Sequence, residues 1–245
     1  MMRILLVALL ATDVATAQRF LPLGHQPLPN QTTLTVPGLG RLLGNKLRNN
    51  VTEFVGIPFA APAVGNRRFL PPGPLMGGNA SWPDATLNAT GYGAACPQFT
   101  NATDFDIAPG CAEDCFYLNV WKPPDLQPGE KLPVFFWVYG GGFVIGAGSE
   151  FNGTQLTRGG LWGDTDASRA HPARIVVVTF NYRLGALGFF QSPEVRDAAV
   201  KAGLPASFGG MNGLLDAVSA LHWTRKHIGA FGGDADTITI GVNDA

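Results

Sequence analysis

The sequence predicts an α/β fold. Three apolar runs and one amphipathic segment carry that expectation. Residues 134–139 read Val-Phe-Phe-Trp-Val-Tyr, residues 175–180 read Ile-Val-Val-Val-Thr-Phe, and residues 238–240 form a shorter Ile-Thr-Ile run. Such near-continuous runs suit strands buried on both faces, as in parallel sheets covered by helices. Between the last two lies the segment 213–228. Its Leu214, Leu215, Val218, Leu221 and Ile228 fall near helical spacing on one stripe. Asn212 is placed to cap the start, and Gly229 with the Gly232-Gly233 pair to end it. Strand 175–180, this helix and strand 237–240 make a right-handed βαβ unit. One domain is expected, with no internal boundary.

The earlier chain is less regular. Residues 18–30 are Pro-rich (Pro22, Pro27, Pro29) and read as an extended arm. Residues 33–36, Thr-Leu-Thr-Val with Pro-Gly following, read as a short strand into a turn. Residues 51–59 hold apolar and β-branched residues at strand spacing. Residues 60–110 are rich in Pro, Gly, Asn and Thr and read as ordered loop.

Composition narrows the function. Charged residues are 14% against 46% hydrophobic, poorer in charge than a typical globular protein, so a large buried core is expected. The net charge is -1, with no basic stripe, which removes electrostatic support for nucleic-acid binding.

Residues 1–17 carry the three parts of a signal peptide in order. Arg3 is the positive start, residues 4–11 are an apolar stretch too short to span a bilayer, and Ala15-Thr-Ala17 is a small-x-small cleavage site. Behind it stand Asn-x-Ser/Thr sites at Asn30, Asn50, Asn79, Asn88, Asn101 and Asn152. Together they predict a secreted, extracellular glycoprotein. In an oxidising compartment Cys96, Cys111 and Cys115 predict at least one disulfide, and three cysteines cannot all pair within one chain. No later segment is long enough for a membrane helix.

Tyr139-Gly-Gly-Gly-Phe143 directly follows the first apolar run. Glycines let backbone N–H groups converge on a small anion because no Cβ blocks the approach. Aimed at a developing oxyanion, such donors lower the barrier of acyl transfer. A dinucleotide fold also has a Gly-rich turn after a strand. It needs G-x-G-x-x-G opening a helix and an acid after the next strand. Here Ile145 stands at the third glycine and Asn181-Tyr-Arg183 follows the second run.

The motifs then resemble one family. Glu113-Asp-Cys-Phe-Tyr-Leu-Asn-Val120 resembles the EDCLYLNV signature of type-B carboxylesterases and lipases, the cholinesterase-like α/β-hydrolases. Phe54-Val-Gly-Ile-Pro-Phe-Ala60 with Arg68-Phe69, Trp137-Val-Tyr-Gly-Gly-Gly-Phe143, the Asn181–Phe189 segment, Asn212-Gly-Leu-Leu-Asp216 and Phe231-Gly-Gly-Asp234 are similar to further family motifs, in the family's order. The resemblance covers nearly all of residues 18–245. It implies an α/β-hydrolase fold and hydrolysis of carboxylic esters, small-molecule or lipid, through an acyl-serine, with no cofactor and no metal. It implies that Gly141 and Gly142 supply oxyanion N–H groups and that Cys96 pairs with Cys115, leaving Cys111 unpaired. It also implies buried, structural ion pairs of Glu113 with Arg68 and of Asp114 with Arg183.

The family places its nucleophile in G-E-S-A-G just after a strand like 237–240. This sequence reads Gly241-Val-Asn-Asp-Ala245 there. Asp244 stands at the serine position, but no helix follows to orient it and no downstream histidine remains as base. His25, His171, His222, His227 and Ser149 form no triad by pattern, and His222 and His227 lack metal-ligand spacing. The sequence therefore reads as the N-terminal part of an esterase, stopped before the nucleophile elbow by a truncated gene model or unspliced read-through. Alone it is expected to be inactive, to expose an unpaired strand edge and to fold poorly. The alternative is a catalytically dead, cholinesterase-like extracellular binding protein. Substrate choice and oligomeric state are not encoded in these motifs.

Overall fold

The computed structural model describes residues 20–21, 27–48, 50–75, 82–98, 110–124, 126–159, 174–201, 203, 205–206 and 209–243. The signal peptide, His25, Asn79, Asn101, His171 and Asp244 lie outside them.

Among the described residues nine strands form one mixed sheet. They are β1 (Phe20–Leu21), β2 (Gln31–Val36), β3 (Gly40–Lys46), β4 (Thr52–Pro58), β5 (Trp82–Asn88), β6 (Tyr117–Lys122), β7 (Leu132–Val138), β8 (Val176–Phe180) and β9 (Gly233–Val242). Their order is β1-β5-β3-β4-β6-β8-β7-β9, with β2 paired to β3 off that path. The helices are α1 (Thr154–Thr157), α2 (Gly185–Phe189), α3 (Pro193–Lys201) and α4 (Asn212–His227).

The half of the sheet that holds the site is parallel: β8 pairs with β7, and β7 with β9. Every residue of β8 is buried. Val176, Val178 and Phe180 enter the main core with Phe54, Leu118, Val120, Val134 and Phe136, while Val177 packs on the opposite face with Val51, Val55 and Trp121. In β7 only Leu132, Val134 and Phe136 are buried, and Phe135 and Trp137 are half-buried, so that strand is not covered on both faces. Its neighbour β9 is the sheet edge, with Ile240 and Val242 exposed. The strands β8 and β9 flank α4 in sequence, but β7 stands between them, so they do not pair.

Several expectations need correction. The stretch 60–110 is not all loop, because β5 pairs parallel with β3 and antiparallel with β1. The buried face of α4 is rotated from the expected stripe. Leu214 and Val218 are exposed, while Leu215, Asp216, Ala220, Trp223, Thr224 and His227 are buried. Asn212 makes no capping bond; its amide instead donates to the Phe69 carbonyl at 2.9 Å.

The ion pairs also differ. Arg68 meets Glu113 at 2.7 Å, but the pair is partly open to solvent, not buried. Arg183 pairs with Asp216, not Asp114. Its Nε and Nη2 donate to the two carboxylate oxygens at 2.8 and 2.7 Å, and its Nη1 donates to the carbonyls of Arg68 and Leu70 at 2.9 Å. An acid buried this deeply needs donors of this kind. Asp216 is on α4, so the pair locks that helix to the end of β8, which explains its rotation.

Candidate active site

In open parallel sheets ligands bind beyond the carboxyl ends of the strands. Here β7 and β8 run side by side and in the same direction, so Tyr139–Gly146 and Asn181–Leu184 leave the sheet at one edge. Tyr139 and Tyr182 stack with ring centroids 4.5 Å apart. Both are buried, which raises both phenol pKa values, that of Tyr182 to about 12.

The glycine run turns sharply. Gly141 has φ +120° and Gly142 φ +60°, and Phe143, a non-glycine, has φ +62°. Strain of this kind persists only where surroundings enforce it. The carbonyl of Gly141 accepts from the N–H groups of Val144 and Ile145 at 3.1 and 3.2 Å, and that of Phe143 accepts from Gly185 at 2.7 Å. The Phe143 ring leans on Phe189 of α2, 4.9 Å between centroids. A Cβ on Gly141 would lie 2.2 Å from the Ile145 carbonyl oxygen, so only glycine fits there. Among the described residues the N–H groups of Gly141 and Gly142 donate to no acceptor.

The far end of the loop is clamped by a side chain that no sequence pattern singles out. Gln98 accepts from the Gly146 N–H at 2.7 Å and donates to the Gly146 carbonyl at 2.9 Å. The same amide nitrogen reaches the Cys96 carbonyl at 3.1 Å. Cys96 is bonded to Cys115, and Cys111 is free and exposed. Beyond the clamp the Gly148 N–H donates to Asn181 Oδ1 at 2.9 Å. The Gly148 carbonyl accepts from the Thr179 hydroxyl, which accepts from Asn119. The single amide inside the buried Leu118-Asn-Val120 run was the available signal for this network. Gln98 had none, since nothing periodic marks a bond across 48 residues.

The described residues hold no nucleophile pair near the loop. No serine hydroxyl or cysteine thiol among them bonds a histidine, and His222 and His227 are both on α4. No cluster of three His, Cys, Asp or Glu among them could hold a metal. No described helix is long and apolar enough to cross a membrane. Of the sequons, Asn30, Asn50 and Asn152 are exposed. Asn88 is half-buried, and its Oδ1 accepts from the Thr90 hydroxyl at 2.7 Å.

The profile of the carboxylesterase family matches residues 30–245. The chain belongs to the carboxylesterase family. It is 38% identical over 196 residues to the para-nitrobenzyl esterase of Bacillus subtilis (strain 168), covering 78% of this chain and 34% of that protein. It is 34% identical over 233 residues to carboxylesterase 1C of Mus musculus, covering 89% of this chain and 36% of that protein. The crystal structure of a Geobacillus stearothermophilus carboxylesterase at pH 6.2 superposes with a TM-score of 0.64 at 35% identity, covering 86% of this chain and 37% of that one. The fold is accordingly that of an α/β-hydrolase. The chain spans about a third of the length of the curated relatives it matches.

Proposed function

We propose that the chain is the N-terminal portion of a secreted, glycosylated carboxylic ester hydrolase. In the longer form a serine attacks the ester carbonyl, the alcohol leaves to give an acyl-serine, and water then releases the carboxylic acid and restores the serine. The carbonyl oxygen becomes negative in the tetrahedral intermediate, and the N–H groups of Gly141 and Gly142 hold it. Each such donor lowers the barrier by about 3–4 kcal/mol. The supporting observation is the pair of amides without acceptors, in a strained loop fixed by Gln98, Gly185 and Phe189 at the carboxyl end of β7. Secretion and glycosylation are supported by the disulfide and by three exposed sequons.

By itself the chain is expected to turn over no ester; in support, no described serine or cysteine near the loop bonds a histidine. The test has two arms. The 245-residue chain is expected to hydrolyse p-nitrophenyl acetate no faster than buffer. A chimera joining residues 18–240 to the remaining two-thirds of the Bacillus subtilis esterase is expected to turn it over. Gly141→Val in the chimera is expected to lower kcat about a hundredfold or more. A folded, active chimera indifferent to that substitution rejects the role of Gly141. A folded but inactive chimera favours a non-catalytic binding protein.

A further inference from the structure

One cleft is not used by this chemistry. It encloses about 700 Å³ and is lined by α4 on one side and by Gly38, Leu39, Phe59, Pro74 and Leu75 on the other. That volume is within the range of small-molecule sites. From α4 come Ser219, His222, Trp223, Lys226 and His227, spaced as one helical stripe, with Arg225 at the rim. No residue of the Gly140–Gly146 loop lines it.

The lining has two kinds of surface. Leu39, Phe59 and Trp223 are buried and give an apolar wall. Arg225 and Lys226 are exposed and basic, and no acid among the described residues lines the cleft. Among the described residues Arg225 meets one carboxylate, Asp236 at 3.8 Å, with both side chains largely in solvent. Lys226 has no carboxylate partner among the described residues. Bases in a last helical turn ordinarily complement the helix dipole. Trp223 contributes ring surface to this wall, while its indole N–H is buried beneath it and has no acceptor among the described residues.

We infer that this cleft binds a small organic monoanion with an apolar body, of the medium-chain carboxylate class. Arg225 and Lys226 hold the carboxylate, and the alkyl chain lies against Leu39, Phe59 and Leu75. The inference is independent of the ester-hydrolase reading, since it uses none of the loop residues.

Calorimetric titration of the purified chain with octanoate at low salt tests it, with 1-octanol and acetate as arms for the apolar and charged halves. Octanoate is expected to bind saturably at one site, and neither half alone to match it. The double variant R225A/K226A is expected to weaken octanoate at least tenfold with an unchanged circular dichroism spectrum, and R225K/K226R to restore it. Octanol binding as tightly as octanoate, unchanged affinity in the alanine variant, or no saturable heat from protein with the helical spectrum would each overturn the proposal.

Discussion

Tyr139 and Tyr182 each donate their hydroxyl to the other's backbone carbonyl. Tyr182 reaches Tyr139 at 2.8 Å, and Tyr139 reaches Tyr182 at 3.2 Å. The exchange ties the end of β7 to the end of β8 and sets where the glycine run begins. Tyr182→Phe leaves the buried Tyr139 carbonyl without that donor. It is expected to cost about 1–3 kcal/mol, read as a lower urea midpoint at unchanged slope. A midpoint equal to the parent's would mean that water takes the place of the hydroxyl.

The same burial predicts an alkaline titration. Desolvation raises the pKa of Tyr92 and Tyr182 to about 12 and that of Tyr139 well above its ordinary value. These three are among four tyrosines in all. Each favours the native state fully below the unfolded value of about 10, and that stability is lost as pH rises through the folded value. Absorbance at 295 nm should therefore show at most one tyrosine ionising before the chain unfolds. Two or more ionising reversibly in folded protein would contradict the buried assignment.

Arg183 and Asp216 are almost wholly inaccessible, at 2% and 0% side-chain exposure. Asp216→Asn removes the charge that compensates the guanidinium while keeping shape. It is expected to destabilise by about 3–5 kcal/mol. Asp114→Asn is expected to change little, because Arg183 is paired elsewhere. Equal losses from the two substitutions, measured by urea unfolding, would restore Asp114 as the partner.

The pair also shows what the sequence could and could not reveal. The strand β8 was legible because Val176-Val-Val is a run that a sheet covered on both faces tolerates, and β7 was legible as an apolar run although only its Leu132, Val134 and Phe136 face is buried. The turn after β7 was legible because three glycines directly follow an apolar run. The buried face of α4 was misplaced because Leu214 and Leu215 compete for one stripe, and the polar Asp216 decides between them through a partner 33 positions away. The strand β3, Gly-Arg-Leu-Leu-Gly-Asn-Lys, has no alternation of its own and exists by pairing with β2, β4 and β5. Gln98 was invisible for the same reason. Its role lies in a contact, and no local pattern records it.

The glycine loop predicts an ordering of substitutions. At Gly141 a methyl group meets the Ile145 carbonyl, and φ +120° is closed to other residues. At Gly142 nothing lies within 4 Å, and only the left-handed backbone resists. Gly142→Ala is expected to cost about 1 kcal/mol and Gly141→Ala about 3 kcal/mol. Thermal melts of the two variants beside the parent give the comparison. Equal melting temperatures would mean that the loop relaxes around the added group.

His227 predicts a dependence on acid. Burial first, and the neighbouring Lys226 charge second, lower its pKa from about 6.5 to about 4, against an opposing pull from the Pro37 carbonyl. Between those values the unfolded chain takes up a proton that the native imidazole refuses. Stability therefore falls as pH drops from about 6.5 to about 4 and is unaffected by this group below that window. Allowing for the open cleft beside it, the effect is on the order of 2 kcal/mol. Carboxylates titrate in part of the same range, so the decisive quantity is a difference between proteins. Urea midpoints of parent and His227→Gln at pH 7 and pH 4.5 should diverge, with the glutamine variant losing less stability on acidification. Parallel losses would place the imidazole in contact with water and its proton affinity near normal.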